Sequence, residues 1–188
     1  MIVARATQQE KKRSRERIVH SAARRFRERG IDGASVGEVM KDAGLTHGGF
    51  YRHFANKDAM LDGALEEAFE QIVAPLEAGL AEQSVEVVGR QFRAFYLSDE
   101  HLQNAGLGCP AAALAGEIAR ATEPTKKVFA TGFRNMLELM TRTKTGDAAG
   151  REAQAARELA MMVGAMTIAR ASDPETAQLI LSACRDRS

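Results

Sequence analysis

The sequence predicts an all-α fold, and three observations support this prediction. Apolar residues recur at intervals of three and four along most of the chain, which is the period of a helix that buries one face. Three of the four prolines, at positions 75, 110, 124 and 174, fall between the periodic segments. No run of alternating β-branched residues flanked by turn residues is evident, so we expect no β-sheet.

Length and composition indicate a folded protein of one or two domains. The chain has 188 residues, of which 45% are hydrophobic and 27% charged, and this is close to the globular average. Its two cysteines, Cys109 and Cys184, are too few for a disulfide framework or a four-thiolate zinc site. No segment approaches the ~18 apolar residues of a membrane span, and no apolar signal region opens the chain. We therefore expect a cytoplasmic protein with no membrane partner, metal or cofactor.

The net charge of +1 conceals a strong asymmetry. Residues 1–65 carry a net charge of +5 and the remainder −4. Within residues 1–30, ten basic residues stand against three acidic ones, a net charge of +7. Such a segment indicates a polyanionic partner, either nucleic acid or an anionic membrane surface. The alternative is a charged helix face that is merely solvated.

The first helix is predicted over residues 8–29. Ile18, Ala22 and Phe26 recur at steps of four on one face, and arginines cover the other faces. Gly30 is placed to end the helix at its C′ position.

A helix-turn-helix pattern follows. The Ser35-Val36-Gly37-Glu38 run predicts a capping box that starts a short helix ending at Gly44. Thr46 is placed to cap a second short helix over residues 47–54. The second helix of such a pair can enter the DNA major groove, which is about 12 Å wide. Helix pairs with a glycine turn also occur without DNA binding, but the basic first helix and the polar second helix favour it here.

The start of the second helix offers groups that suit DNA. Thr46 can bond phosphate directly or through the free N–H groups beside it, and His47 can donate to a base edge or a phosphate. Gly48 and Gly49 weaken a helix by about 1 kcal/mol each relative to alanine. Close approach of the backbone to DNA would explain that cost.

Three further donors lie downstream. Tyr51 and His53 offer an O–H and an N–H toward the sugar-phosphate backbone, and Lys57 adds a cation at the start of the next helix, which Asn56 is placed to cap. His53 is also open to interpretation as a packing histidine, and Tyr51 as a half-buried core residue. His47 and His53 are six residues apart and so do not form a metal-binding pair.

Two runs within residues 10–65 are specific: Phe-Tyr-x-His-Phe-x-Asn-Lys-Asp, and Gly-Ile-Asp-Gly-Ala-Ser beginning at Gly30. With residues 35–61 as a whole, they resemble the DNA-binding domain of TetR-type transcriptional repressors. The resemblance implies a three-helix helix-turn-helix domain followed by a helical domain that binds a small molecule and dimerises. It places seven residues where family members commonly touch DNA: Ser35, Thr46, His47, Gly48, Tyr51, His53 and Lys57. Arg52 departs from the aromatic residue often found there, so whether it contacts a base or faces solvent is open.

We expect a helix-turn-helix DNA-binding domain over residues 1–56 and a helical effector-binding and dimerisation domain over residues 57–188. The linking helix, residues 57–80, contains Pro75, which predicts a bend. Further helices are predicted near residues 84–97, 110–121, 125–143, 148–171 and 175–185.

Residues 155–169 are apolar almost all round and must therefore be covered on more than one face. With Ile180 and Leu181 they fit a two-fold helix bundle between subunits, and an internal core helix is the alternative. Another group of residues either lines an apolar pocket or forms plain core. Its members are Phe92, Phe95, Tyr96, Phe133, Met136 and Met140.

Cys109 directly precedes Pro110 at the start of a predicted helix. A helix N-terminus lowers the pKa of a thiol and favours the thiolate. Cys109 is therefore a candidate electrophile or redox sensor, and a small buried packing residue is the alternative.

Residues and resemblance together predict a homodimeric, sequence-specific transcriptional regulator. We expect a repressor that an unidentified small-molecule effector releases from a near-palindromic operator in double-stranded DNA. We expect no enzyme, because no catalytic triad spacing, Gly-rich phosphate loop or metal cluster is evident. The alternatives are a helical enzyme, a sensor acting through Cys109, and a membrane-surface or RNA-binding module, which would not need the helix-turn-helix.

Overall fold

The computed structural model describes the backbone of residues 2–185 and the side chains of residues 8–185. Within that part of the chain all regular structure is helical, as predicted. The N-terminal elements, here called the head, are α1 (Ile2–Gly33), α2 (Val36–Asp42) and a 3₁₀ helix (His47–Arg52). The later elements, here called the body, are α3 (Lys57–Glu82), α4 (Val85–Tyr96), α5 (Asp99–Gln103), a 3₁₀ turn (Ala105–Leu107), α6 (Pro110–Ile118), α7 (Glu123–Arg142), α8 (Ala148–Arg170) and α9 (Pro174–Arg185).

The helix ends follow from local sequence. Gly30 has φ +76°, a left-handed conformation that favours glycine, and it interrupts α1 where the sequence predicts an end. The Ser35 hydroxyl accepts a hydrogen bond from Glu38 N at 3.2 Å, and the Glu38 carboxylate accepts one from Ser35 N at 3.1 Å. The Asn56 side chain accepts one from Ala59 N at 2.8 Å. The predicted capping box and the Asn56 cap are thus confirmed.

Two local predictions are wrong. The second short helix is a 3₁₀ helix that ends at Arg52, and the Thr46 side chain makes no capping hydrogen bond. A short helix, α5, also lies between α4 and α6, where no helix was predicted. The Ser98 hydroxyl caps it by accepting a 3.0 Å hydrogen bond from His101 N. Pro75 lies inside α3, which continues to Glu82.

The head core includes residues from the body. Ile18, Ala22 and Phe26 of α1 are fully buried, as their four-residue spacing predicts. They pack with apolar residues of α2, the 3₁₀ helix and the first half of α3. Leu114 and Ile118 of α6 belong to the same cluster. The packing of the head therefore depends on α3 and α6.

The second core fills the body between α3 and α9. Tyr96, Met136 and Met140 are fully buried in it, so these residues are core. Phe133 packs against the same cluster and is half-buried. Phe95 was expected to line an apolar pocket or to form core, but it is 42% exposed and stacks on the His101 ring with centroids 5.4 Å apart.

One face of α8 and α9 belongs to the body core and the other faces solvent. Leu159 and Met166 are buried within the chain, whereas Ile168 is 52% exposed. On α9 the expectation for Leu181 is wrong, because it is fully buried in its own chain; Leu179 is 70% exposed instead. Within residues 2–185, no helix combines the length and apolarity needed to cross a membrane.

Arg27 joins head and body. The prediction that arginines of α1 face outward is wrong for Arg27, which is 4% exposed. Its Nε donates to Ala23 O at 2.9 Å, Nη1 to Gly108 O at 2.8 Å and Nη2 to Gln71 Oε1 at 2.7 Å. Because burial disfavours the charged form, the pKa of Arg27 falls to about 10. The guanidinium is therefore a structural link to α3 and to the segment before α6.

A second contact joins α6 to the end of α1. Glu117 Oε2 accepts a 2.7 Å hydrogen bond from Ile31 N, directly after Gly30. A Cβ atom at Gly30 would lie 2.8 Å from the Glu117 carboxylate. The glycine is thus required both for its left-handed backbone and for the close approach of this carboxylate.

The contact between α7 and α3 gives a stability prediction. A Cβ atom at Gly132 would overlap the ring of Phe69, which is 2% exposed. We predict that Gly132→Ala lowers the free energy of unfolding by about 1–3 kcal/mol, because the overlap extends to the Phe69 Cβ atom, 2.9 Å away, and so cannot be relieved by rotating the ring alone. Urea unfolding measures the change.

Gly116 is the matched control, since a Cβ atom there meets no heavy atom within 4 Å. Gly116→Ala is expected to be neutral or to stabilise by up to about 1 kcal/mol through helix propensity. A Gly132→Ala protein as stable as the wild type would contradict the packing described.

Candidate nucleic-acid interface

Residues 46–52, here called the recognition segment, present a polar surface to solvent. Thr46, His47, Gly48 and Arg52 are exposed, and Tyr51 is 75% exposed. Four of these five residues were predicted from the sequence as DNA contacts, and Arg52 was a candidate whose role the sequence left open. All five lie within the same seven-residue segment and are exposed to solvent.

Aromatic packing fixes the recognition segment on the head. Phe50 is 2% exposed and stacks on Phe54, with ring centroids 5.8 Å apart and planes at 23°. The Tyr51 ring meets Phe50 edge-on at 5.2 Å. Such aromatic pairs hold their rings in defined orientations. The Tyr51 hydroxyl is therefore held in solvent by a ring that rests on a buried neighbour.

Thr46 occupies the N-cap position with an extended backbone, at φ −82° and ψ 148°. Its hydroxyl makes no capping bond, and the first backbone N–H groups of a helix have no partner within the helix. These donors can together hold a phosphate oxygen or a base acceptor.

The two glycines of the segment differ. A Cβ atom at Gly48 would have no heavy atom within 4 Å, whereas one at Gly49 would contact Met40 Cε at 3.6 Å. Packing within the chain therefore does not account for a glycine at position 48. The open space at this position leaves the backbone accessible from solvent.

Basic side chains surround His53 beside the recognition segment. His53 is half-buried, and its Nδ1 is buried without a hydrogen-bond partner among the described residues. Burial lowers its pKa, and the nearby positive charges of Lys11, Arg15 and Arg52 lower it further. His53 is therefore neutral near pH 7, and three cations from two elements meet at this edge.

Sequence reasoning did not single out Lys11 and Arg15. Their four-residue spacing on a helix was the available signal, because it places both side chains on one face. Arg15 also lies over the Phe54 ring, with its guanidinium carbon 5.0 Å from the centroid. This cation–π contact holds the guanidinium beside the recognition segment.

Ser35 and Lys57 are less free than the sequence suggests. The Ser35 hydroxyl donates to Glu38 Oε2 at 2.7 Å, so its single proton is already in use. Lys57 is half-buried, with Nζ 5.9 Å from the centroid of the Phe26 ring. Their roles as DNA contacts stay predictions.

Part of the positive charge of α1 is paired with carboxylates of the same chain or is buried. Arg25 donates to both oxygens of Asp42, at 2.5 and 3.0 Å, and this hydrogen bonding lowers the pKa of the Asp42 carboxyl. Arg24 pairs with Glu28 at 2.8 Å, and Arg27 is buried. The net charge of +7 for residues 1–30 therefore overstates the field at the recognition segment.

Cys109 lies in the body, and its thiol is fully buried. The expected lowering of its pKa is wrong. Burial raises the pKa, and this outweighs the opposing influence of the neighbouring Tyr96 hydroxyl and of the backbone N–H groups at Ala111 and Ala112. The thiol is therefore protonated at neutral pH, and a sensing role for Cys109 stays a prediction.

The N-terminal domain matches a known family. Residues 18–64 match the family model described as bacterial regulatory proteins, tetR family. The HTH-type transcriptional regulator AcrR of Shigella flexneri is 36% identical over 75 residues, 40% of this chain and 34% of that protein. The HTH-type transcriptional repressor DhaR of Mycobacterium sp. strain GP1 is 29% identical over 124 residues, 66% of this chain and 60% of that protein. The matches thus span between about a third and three fifths of these relatives.

Solved structures share the fold over nearly the whole chain. Reduced NemR from E. coli superposes with a TM-score of 0.74 at 21% identity, covering 91% of this chain and 94% of that one. A TetR-family transcriptional regulator from Agrobacterium tumefaciens gives a TM-score of 0.76 at 19% identity, covering 94% and 98%.

Head, recognition segment and body together define a helix-turn-helix protein with a helical C-terminal domain. Residues 18–64 match the tetR family model, and the solved structures share the fold of nearly the whole chain. The resemblance that the sequence shows over residues 10–65 is thus confirmed for the N-terminal domain.

The open space around Gly48 gives a prediction that separates fold from binding. We predict that Gly48→Leu leaves the thermal midpoint of unfolding within about 2 °C of wild type, since position 48 is exposed and a Cβ atom there meets no heavy atom within 4 Å. The same change is expected to weaken binding to duplex DNA at least tenfold, because it holds the backbone away from the groove. Fluorescence anisotropy with labelled duplex measures the affinity.

Gly116→Leu is the control, as position 116 is equally open but lies on α6 in the body. It should bind duplex DNA like wild type. Equal affinity of Gly48→Leu and wild type would show that position 48 does not face DNA.

Proposed function

We propose that this protein is a sequence-specific DNA-binding transcriptional regulator, a repressor that leaves its operator when a small molecule binds the body. The observation that supports this proposal most strongly is the exposed polar surface of the recognition segment. Buried Phe50 anchors this surface, and Lys11 and Arg15 lie beside it. The major groove of DNA is wide enough to admit a helical segment. Basic side chains beside it supply sequence-independent attraction to phosphates.

The roles divide by position. Lys11, Arg15 and the Tyr51 hydroxyl contact the sugar-phosphate backbone and set affinity. Thr46, His47 and Arg52 read base edges and set specificity, with Gly48 allowing close approach. In the same proposal Ser35, His53 and Lys57 support the backbone contacts, Ser35 and Lys57 through the ends of the helices where they lie.

The relatives support this class of activity. They are named as transcriptional regulators or repressors, and we assign no catalytic reaction to this chain. Because bacterial DNA lies in the cytoplasm, a regulator of this kind acts there.

The proposed regulator is a homodimer. The outer face of α8 and α9 carries Ile168 at 52% and Leu179 at 70% exposure. A Cβ atom at Gly164 of α8 would meet no heavy atom within 4 Å, so this face admits a closely approaching helix. A two-fold pair of such faces would place two recognition segments in successive major grooves, about 34–36 Å apart, on a near-palindromic site.

Two substitutions separate affinity from specificity. Tyr51→Phe removes only the hydroxyl, and we predict a similar loss of about 1 kcal/mol on every duplex tested. His47→Ala is expected to cost about 1–3 kcal/mol on the preferred site and less on variants of that site. The preferred site is obtained by selection from random duplexes, and gel shifts on it and on single-base variants measure both effects. Uniform loss for His47→Ala, or no loss for Tyr51→Phe, would refute the assigned role.

The dimer surface is tested at Leu179. We predict that Leu179→Glu raises the dimer dissociation constant at least tenfold, because it places a charge in an apolar contact. Leu107→Glu is the control, since Leu107 is 62% exposed but lies on the turn before α6. Sedimentation velocity across a concentration series measures both. Equal effects of the two changes would locate the interface elsewhere.

A further inference from the structure

A cluster of buried polar groups lies where α4, α5, α6 and α8 meet, away from the recognition segment. Tyr96 and Cys109 are fully buried, His101 is 1% exposed, and Arg170 is half-buried at the end of α8. This group, here called the body cluster, consists of Tyr96, His101, Cys109 and Arg170.

Three donors in the body cluster have no acceptor. The Tyr96 hydroxyl and the Nε and Nη1 atoms of Arg170 are buried without a hydrogen-bond partner in the described part of the chain. The Tyr96 hydroxyl lies beside the Cys109 thiol, which is a weak acceptor. Because nearly all buried polar groups in proteins are paired, three unpaired donors in one place require an explanation.

The acceptors nearby are already in use. His101 Nε2 accepts from Cys109 N at 3.0 Å, its Nδ1 donates to Tyr96 O at 2.6 Å, and His101 O accepts from Arg170 Nη2 at 2.6 Å. This pattern fixes the neutral tautomer of His101, whose pKa falls to about 4, chiefly because of burial. The imidazole of His101 and these two carbonyl oxygens are therefore already engaged, and the three donors stay without a partner in the described part of the chain.

The cluster is also positively charged. Within residues 8–185, neither Arg170 nor the nearby Arg27 forms a salt bridge with a carboxylate. Glu28 and Glu67 lie close enough to raise the pKa of Arg27, whereas only Tyr96 and Cys109 raise that of Arg170, so Arg170 is the cation without a counter-charge. Both arginines lower the pKa of His101, which places their charges close to it. The N-terminus of α6, with the backbone N–H groups of Ala111 and Ala112 directed at the Cys109 thiol, adds positive potential. A buried cation without a counter-charge is costly, and an anion would relieve that cost.

We propose that the body cluster binds a small anion through the Tyr96 hydroxyl and Arg170 Nε and Nη1. The site is small, because a Cβ atom at Gly108 would already collide with His101 and lie 2.8 Å from Arg170 Nη2. Arg170 is half-buried, so its exposed edge gives the anion a way in. Formate and nitrate are ligands of suitable size and charge.

The position of the site connects it to the head. Cys109 N bonds to His101, and the preceding carbonyl, Gly108 O, accepts from Arg27 at 2.8 Å. An anion that shifts this peptide changes the hydrogen bonding of a buried α1 residue. Control of DNA binding by the anion rests on the proposed function, whereas anion binding itself does not.

Thermal unfolding of the full chain in low-salt buffer tests the site. Sodium formate, nitrate and chloride are titrated separately against sodium gluconate, whose anion is too large, at equal ionic strength. We expect a saturable rise in the unfolding midpoint of roughly 3 °C or more for a small anion and none for gluconate. The formate and chloride arms distinguish an oxyanion from a halide.

Variants assign the effect to the cluster. Tyr96→Phe and Arg170→Gln are expected to abolish the saturable rise, and Arg157→Gln, an exposed arginine on the same helix, to retain it. Tyr96→Phe removes only the unpaired hydroxyl. If Arg170→Gln fails to fold, Tyr96→Phe alone tests whether the stabilisation arises at the body cluster. Equal stabilisation by all salts, or in all variants, would overturn the proposal and leave the three donors to water.

A separate measurement tests the link to DNA. If the anion acts as an effector, formate weakens duplex binding by wild type at least threefold more than gluconate does, and Tyr96→Phe removes this difference. Stabilisation by formate without any change in duplex affinity would overturn the regulatory role and leave the site standing. Absence of duplex binding under all conditions would refute the proposed function alone.

Discussion

The burial of Arg27 is the interaction on which the arrangement of head and body depends. A guanidinium at 4% exposure must have its donors satisfied, and its three nitrogen atoms donate to Ala23, Gln71 and Gly108. These partners lie on α1, on α3 and in the segment before α6. Each acceptor is a neutral carbonyl or amide oxygen. All three elements must therefore keep their positions, because otherwise the buried guanidinium loses hydrogen bonds. The Ile31 contact with Glu117 adds a second fixed point at the other end of α6.

The conformation of the recognition segment also depends on burial. Six residues of 3₁₀ helix have little stability of their own, so their conformation comes from Phe50, which the head core encloses. That core includes Leu114 and Ile118 of α6. The surface that we assign to DNA therefore rests on a core to which helix α6 of the body contributes.

Features fixed by neighbours in sequence could be predicted, and features fixed by neighbours in space could not. Gly30, the Ser35 capping box and the Asn56 cap depend on two to four consecutive residues, so their patterns are legible. The burial of Arg27 depends on residues 44 and 81 positions away in the chain. The burial of Leu181 and the raised pKa of Cys109 likewise depend on packing between separate helices. Helix α5 was missed because five residues cannot show a 3.6-residue period. For the recognition segment, exposure followed from the pattern around Phe50, whereas the engagement of the Ser35 hydroxyl by Glu38 did not.

The segment from residue 105 to residue 117 meets the last turns of α1 at three places. Gly106 approaches Glu28 so closely that a Cβ atom would collide, Gly108 accepts from Arg27, and Glu117 accepts from Ile31. In the proposed dimer, α8 and α9 fix the two bodies, so the spacing of the two recognition segments depends on how each head sits on its body. Because these three contacts set that orientation, a small displacement of residues 105–117 changes the spacing without unfolding either core. Groove spacing on DNA is fixed, and so a change of a few ångström there is sufficient to alter affinity.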